Sequence, residues 1–211
     1  STANGIVVSY SGGALVKDND IFANGRYGVL VSKGGDLVLR NNTVHDNKRS
    51  GMLSCDGGLG YAEANTFYGN GLAAIETSSR GSPHVTKNDV HDERQVGFFC
   101  HDGGGGNFCR NTLSRCGYAG VEIQTGADPT VDSNTITQSK THGITVHGKA
   151  KGTVKGNTIS HSRCSGVLIE TQAETVIESN QIYSGNHRGI WSTNRGRGVV
   201  RNNQGTVPDL V

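Results

Sequence analysis

Apolar residues recur along this chain in short alternating runs that repeat every 23 residues. Each run follows a small residue, here called the anchor. Apolar or small side chains then stand one and three residues after the anchor, as Val29 and Val31 do after Gly28. A period of two between turns rich in Gly, Asn and Asp predicts β-strands. The nine anchors are Gly5, Gly28, Gly51, Ala74, Gly97, Gly120, Gly143, Gly166 and Gly189.

An asparagine column runs in register with the anchors, 14 residues after each of them. Two further apolar columns flank it, one through Val16 and Leu39 and one through Ile21 and Val44. We expect these asparagines at a bend in the left-handed backbone conformation, with their amides hydrogen-bonded from coil to coil as a structural ladder. The column consists of Asn19, Asn42, Asn65, Asn88, Asn111, Asn134, Asn157, Asn180 and Asn203.

The repeat predicts an all-β fold, a right-handed single-stranded parallel β-helix of about nine 23-residue coils with three parallel sheets. Strands about 4.8 Å apart would give a rod of roughly 40 Å. Residues 1–211 are expected to form a single solenoid domain. Because the first repeat starts at Gly5, we interpret the chain as a piece of a longer one.

The composition fits a thin, solenoid core. Hydrophobic residues make up 33% of the chain, and 32 of 211 residues are glycine, which we expect to supply the corners of the coils. The 20 basic and 18 acidic residues give a net charge of +2, so nucleic acid is not an expected partner. The sequence contains no apolar run long enough for a membrane span, and a membrane is not expected either.

The five cysteines are odd in number and irregularly spaced, and they form no CxxC pair. This spacing argues against a zinc site and favours a reducing intracellular compartment. We expect neither a metal nor a cofactor. The cysteines are Cys55, Cys100, Cys109, Cys116 and Cys164.

The phrases GVLVSKGGDLVLRNNTVHDN (28–47) and GVLIETQAETVIESNQIYSGN (166–186) resemble parallel β-helix repeats of the carbohydrate-binding and sugar-hydrolase group. They are also similar to the β-helical repeats of eukaryotic F-box proteins and of NosD-like periplasmic proteins. The resemblance covers nearly the whole chain and implies the β-helix fold. The matching residues are scaffold columns, so a function taken from it is an analogy.

The most polar outward surface is expected on the first sheet, in coils 4 to 8. Binding candidates there and on the next coil are Phe99, His101, Glu122, Gln124 and Trp191, where the rings could stack on a sugar. We assign no catalytic residue; the candidates for such a role are Glu76, His101, Asp102, Glu122, His147 and Glu170. Glu76 and Glu122 should lie roughly 9–10 Å apart, near the spacing of an inverting glycosidase pair. We favour the interpretation of this surface as a solvated sheet face, and a shallow sugar-binding strip is the alternative.

Two other outward features are expected. Val7, Leu30 and Leu53 form an apolar stripe that either meets a packing partner or is covered by a further segment.

The pairs His45-Asp46 and His91-Asp92 are interpreted as turn residues, with each Asp capping local backbone amides.

The coils keep their period without a long inserted loop, and such loops would be needed to wall a deep cleft. We therefore favour a non-enzymatic recognition scaffold that binds a protein or glycan on an outward sheet face. One alternative is a carbohydrate-active enzyme, namely a polysaccharide hydrolase, lyase or epimerase. A second alternative is a structural segment of a larger assembly.

Overall fold

The computed structural model describes residues 2–183 and 187–205. Within these ranges the chain contains strands and turns without a helix, and the strands form three parallel sheets of nine strands each. Neighbouring strands of a sheet are 23 residues apart, as in the pairing of Val29 with Met52. The predicted nine coils and three parallel sheets are confirmed.

The three sheets follow one another within each coil, and each takes one strand from every coil. The first sheet comprises Ile6–Val8, Val29–Val31, Met52–Ser54, Ala73–Thr77, Val96–Cys100, Val121–Ile123, Ile144–Val146, Val167–Ile169 and Ile190–Ser192. The second comprises Gly13–Lys17, Asp36–Arg40, Leu59–Glu63, His84–Thr86, Asn107–Cys109, Thr130–Asp132, Thr153–Lys155, Glu174–Glu178 and Arg197–Arg201. The third comprises Asp20–Phe22, Thr43–His45, Thr66–Tyr68, Asp89–His91, Thr112–Ser114, Thr135–Thr137, Thr158–Ser160, Gln181–Tyr183 and Gln204–Gly205.

The core is a narrow column of inward side chains enclosed by the three sheets. Val29, Leu39 and Val44, one from each sheet, are fully buried. In the middle of the rod the column holds the rings of Phe98 and Phe108, which are tilted by 36° with centroids 4.9 Å apart. The predicted inward position Val200 is 48% exposed, because its strand pairs on one side only among the described residues.

The anchors are small because two coils approach each other closely there. A Cβ atom at Gly28 would lie 2.6 Å from the carbonyl oxygen of Gly51, a distance at which the backbone would have to shift. No anchor glycine has a positive φ angle. Gly28 and most other anchors lie at a bend before the first strand of their coil, as expected of corner residues, while Gly103 and Gly126 occupy corners with a left-handed backbone.

The asparagine column forms the predicted ladder, and Asn88 illustrates each of its bonds. Its Oδ1 accepts the backbone N–H and the Nδ2 of Asn65, both at 2.9 Å. Its own backbone N–H and Nδ2 donate to Oδ1 of Asn111, also at 2.9 Å. Nδ2 further donates to the carbonyl of Ala62 at 2.9 Å. The side chain thus joins three coils while saturating buried polar groups of the bend.

The bend itself is not made by the ladder asparagines. The left-handed conformation belongs to the residue directly before each of them, such as Ala64 with φ 55°, Lys87 with φ 55° and Arg110 with φ 56°. Our expectation of left-handed asparagines is therefore wrong. Asparagine is required at this column for its amide, which reaches the neighbouring coils, and not for its backbone.

A second polar column, which the sequence analysis did not predict, runs 19 residues after each of the first seven anchors and is buried from Asn47 onwards. Asn47 Nδ2 donates to Asn70 Oδ1 at 2.9 Å, as in the first ladder. Glu93 then takes the next position, and its two carboxyl oxygens accept the N–H and Nδ2 of Asn70 at 2.8 and 2.9 Å. The members of this column are Asn24, Asn47, Asn70, Glu93, Cys116, Ser139 and Ser162.

Glu93 is 2% exposed, and this burial raises its pKa to about 8 despite the bonds from Asn70. The thiol of Cys116 follows it in the column and is fully buried, which raises its pKa to about 12. The carboxyl group of Glu93 is therefore neutral in the folded protein below about pH 8.

The first prediction concerns the asparagine ladder. Asn88→Leu leaves the amide groups of Asn65 and the carbonyl of Ala62 without their partner, so the free energy of unfolding should fall by about 1–3 kcal/mol or more. Chemical denaturation measures this change. The control is Asn107→Leu, at an exposed outward position of the second sheet. Equal stability of the two variants would contradict the ladder's role.

The second prediction concerns pH. Because the pKa of Glu93 is raised from 4.5 to about 8, its neutral form stabilises the fold below about pH 4.5, and that contribution is lost as the pH rises towards 8. Glu93→Gln should remove this loss, on the order of a few kcal/mol. Thermal unfolding of both proteins across this range is the measurement. Parallel pH profiles would show that Glu93 does not titrate in this way.

Candidate functional site

The outer face of the first sheet carries two parallel columns of side chains, two and four residues after each anchor. Strand pairing places Phe99 beside both Glu76 and Glu122, and Glu122 beside Thr145. The predicted order of the columns is therefore observed. We use the name first-sheet strip for Glu76, Phe99, Glu122, Thr145, Leu168 and Trp191 together with Ser78, His101, Gln124, His147 and Glu170.

His101 stands between two carboxylates within the first-sheet strip. Its Nε2 lies 3.0 Å from Oε1 of Glu76, in the preceding coil, and its Nδ1 lies 2.8 Å from Oδ2 of Asp102. Glu76 is only 5% exposed, and Ser50 donates to its other oxygen. The bond to Glu76, and secondarily that to Asp102, raises the pKa of His101 above 6.5 against the opposing effect of burial.

A second carboxylate–imidazole pair repeats this arrangement two coils later. Nε2 of His147 lies 2.9 Å from Oε1 of Glu122, and the two residues are again 25 positions apart. Gly148 occupies the place that Asp102 has in the first pair. The structure thus joins five of the six catalytic candidates, with Asp102 attached to the first pair, and leaves Glu170 outside them.

Aromatic rings lie near both ends of the first-sheet strip. Phe99 stacks on the imidazole of His101, with ring centroids 4.4 Å apart and an interplanar angle of 28°. Trp191 is 37% exposed, and the guanidinium of Arg188 lies 5.1 Å from its ring centroid. Four strand steps separate Phe99 from Trp191, or about 19 Å. Gln124 lies between His101 and His147 in its column.

The first-sheet strip is more enclosed than a solvated sheet face would be. Thr145 is 2% exposed and Leu168 is 7% exposed, although both belong to an outward column. Among the described residues, the hydroxyl groups of Thr145 and Ser165 are buried without a hydrogen-bond partner. His142 accepts the backbone N–H of Ser165 at 3.2 Å, and burial lowers its pKa below 6.5. Part of this strip is therefore desolvated.

The apolar stripe at the start of the rod is exposed at one end only. Val7 is 53% exposed, Leu30 is half-buried and Leu53 is 7% exposed. A packing partner on this stripe stays a prediction.

The histidines of the third sheet form a ring stack that the sequence analysis missed. Phe22, His45, Tyr68 and His91 stack with centroid distances of 5.0, 4.5 and 5.3 Å. The sequence contains a signal for this stack, because the four aromatic residues are spaced by 23 positions and therefore fall in one column.

The aspartates beside this stack have left-handed φ angles of 51° at Asp46 and 52° at Asp92, as expected of turn residues. Their carboxylates do not cap backbone amides, so that part of the interpretation is wrong. Asp46 contacts His45 at 2.9 Å and Arg94 at 3.3 Å. Arg115 makes two bonds to Asp92 and, with His91, lowers the pKa of Asp92 to about 2.

All five cysteines are free thiols. Burial raises the pKa of Cys100 to about 12, which makes its thiol unreactive. Sγ of Cys109 lies 3.7 Å from Nε2 of His84 on the second sheet. Within residues 2–183 and 187–205, no group of three His, Cys, Asp or Glu side chains could hold a metal ion. In the same ranges, no helix has the length and apolar character needed to cross a membrane.

The sequence model of the family described as right-handed beta helix region matches residues 1–90 and 96–206. The chain therefore belongs to the right-handed β-helix family, and the predicted handedness is confirmed. No curated protein and no solved structure matches it significantly.

The third prediction concerns the charge state of His101. Glu76→Gln should lower the pKa of His101 more than Asp102→Asn does, because the bond to Glu76 raises that pKa most. Titration of the ring resonances by NMR measures both changes. Since the pKa is raised, the pair stabilises the fold fully below pH 6.5 and loses this effect as the pH passes the folded pKa. A larger change in Asp102→Asn would contradict the arrangement.

Proposed function

We propose that this chain is a recognition module that binds a glycan along the first-sheet strip. One observation carries the proposal: a partly desolvated outer face holds two carboxylate–imidazole pairs in line, with the ring of Phe99 stacked on the imidazole of the first pair and Trp191 further along the same face. The recognition scaffold expected from the sequence thereby gains a specific surface and a specific class of ligand.

The chemistry of the first-sheet strip suits a sugar chain. Carboxylates such as Glu122 accept hydrogen bonds from hydroxyl groups, and imidazoles and the amide of Gln124 can donate to ring or hydroxyl oxygens. The faces of Phe99 and Trp191 offer flat apolar surface for the C–H side of a pyranose ring. The two pairs repeat at about 10 Å, a spacing that a linear chain of sugar units could follow along the rod.

Rigidity supports the proposal as well. The histidines are already fixed by their carboxylate partners, and the coils that carry them are tied to one another by the asparagine ladder at the corner between the second and third sheets. A ligand would therefore lose little affinity to the ordering of the protein.

The fourth prediction tests this surface with a panel of neutral and acidic oligosaccharides and calorimetric binding. Phe99→Ala and Glu122→Gln should each weaken binding of the best ligand by about tenfold, as truncation of a central contact does. Phe22→Ala is the matched control, because Phe22 is a 53% exposed ring on the third sheet. Thermal midpoints should change little.

Binding that is equal in the variants and in the unaltered protein would contradict the proposal. A protein ligand that depends on Phe99 and is not displaced by any oligosaccharide would identify this face as a protein-binding surface instead.

A carbohydrate-active enzyme is the second candidate, and the Glu76–His101–Asp102 arrangement favours it. An imidazole oriented by two carboxylates could donate or accept a proton at a bound sugar. The same panel distinguishes the two functions, because catalysis would release new reducing ends or unsaturated products that Glu76→Gln abolishes. A ligand that binds and stays intact supports recognition alone.

A further inference from the structure

A basic cleft lies at the corner between the first and second sheets, in coils 7 to 9. Its volume is about 640 Å³. Lys149 and Arg195 contribute from one column, two coils apart, and Lys151 and Arg197 contribute from the next. The positions between them are taken by Gln172 and Glu174. We use the name corner cleft for these six residues.

The four cations of the corner cleft outnumber its one carboxylate, Glu174, which stands opposite Arg197 in the strand pairing. Among the described residues, none of their side chains makes an ion pair or a hydrogen bond. An outward column further along the second sheet behaves differently, since Arg201 pairs with Glu178 at 2.6 Å and Lys155 lies 3.7 Å from Asp132. Like charges gathered along neighbouring strands repel one another, and an anion would relieve that repulsion.

From this geometry we infer that the corner cleft is a binding site for a polyanionic glycan, one that carries carboxylate or sulfate groups. The inference rests on the proposed function and names the class of ligand. Arginine and lysine side chains bind such oxyanions directly. The carboxylate of Glu174 and the amide of Gln172 suit the hydroxyl groups that a sugar presents between its charges.

The lining of the corner cleft favours a glycan over other polyanions. It contains no aromatic ring, whereas single-stranded nucleic acid is bound by stacking on aromatic side chains. It also contains no aliphatic or aromatic anchor of the kind that a bound peptide uses. Glu174, at the centre of its column, would repel a continuous line of phosphates.

The corner cleft adjoins the first-sheet strip. Lys149 follows His147 by two residues, and Arg195 follows Asn194, whose Nδ2 donates to Oε2 of Glu170 at 3.4 Å. One glycan chain could therefore contact both surfaces, with its neutral sugar units on the first-sheet strip and its acidic groups in the corner cleft.

The test compares two variants of equal net charge by calorimetry. The cleft variant carries Lys149→Gln, Lys151→Gln, Arg195→Gln and Arg197→Gln. The control variant carries Lys17→Gln, Lys48→Gln, Lys140→Gln and Arg163→Gln, at exposed positions outside the corner cleft. The probes are a heparin hexasaccharide, an oligogalacturonate, a neutral oligosaccharide and a single-stranded DNA oligonucleotide.

We expect the cleft variant to bind one of the acidic oligosaccharides about tenfold or more weakly, and the control variant to bind it nearly normally. Binding should also weaken as salt is added. Equal losses in both variants would overturn the inference, and so would tighter binding of the DNA than of either acidic glycan. Charge-preserving Lys149→Arg with Arg195→Lys should retain binding, which separates lost charge from lost folding.

The neutral oligosaccharide keeps the two proposals distinguishable. If Phe99→Ala abolishes its binding and the cleft variant leaves binding of the acidic probes intact, the first-sheet strip stands and the corner cleft is excluded. If the cleft variant alone loses the acidic probes and no variant of the first-sheet strip affects any glycan, the corner cleft stands and the first-sheet strip is excluded.

Discussion

The structure depends on one repeated interaction, the side-chain amide of an asparagine bridging neighbouring coils. Each interior Oδ1 accepts two donors from the preceding coil, and each Nδ2 donates to the next coil and to carbonyl groups of the bend. The bend places polar backbone groups next to the apolar column, where water does not reach them. A side chain of this length and polarity satisfies them, so this column holds successive coils in register at the corner between the second and third sheets.

This register is also what creates the candidate site. Because coils stack without offset, a side chain four residues after one anchor lies diagonally next to the side chain two residues after the preceding anchor. His101 meets Glu76 in this way, and His147 meets Glu122. On the third sheet, His45 meets Asp20 at 3.0 Å across the same interval of 25 residues. The carboxylate–imidazole pairs are therefore a consequence of the repeat and not of a special loop.

Most of the scaffold could be predicted from the sequence, because anchors, apolar columns and asparagines recur at fixed intervals. The carboxylate–imidazole pairs could not be predicted in the same way, because each joins residues of two different columns. Whether such residues meet depends on side-chain rotamers, which the repeat does not determine. The burial of Thr145 depends on the local shape of the sheet face, and the types of residue in its column do not reveal that shape. The second ladder was missed because Asn24, Asn47 and Asn70 give way to Glu93, Cys116 and two serines.

A chain of this kind obtains functional surface by varying outward residues over a constant interior. In the first-sheet strip the outward residues are fixed imidazoles and aromatic rings. In the corner cleft they are cations without an ion-pair partner among the described residues. Both surfaces exist only if residues 23 apart are neighbours along one axis. NMR measurement of contacts between the side-chain amide protons of Asn65 and Asn88 tests that claim most directly. The account predicts strong cross-peaks with slow exchange against solvent; absent cross-peaks with rapid exchange would contradict it.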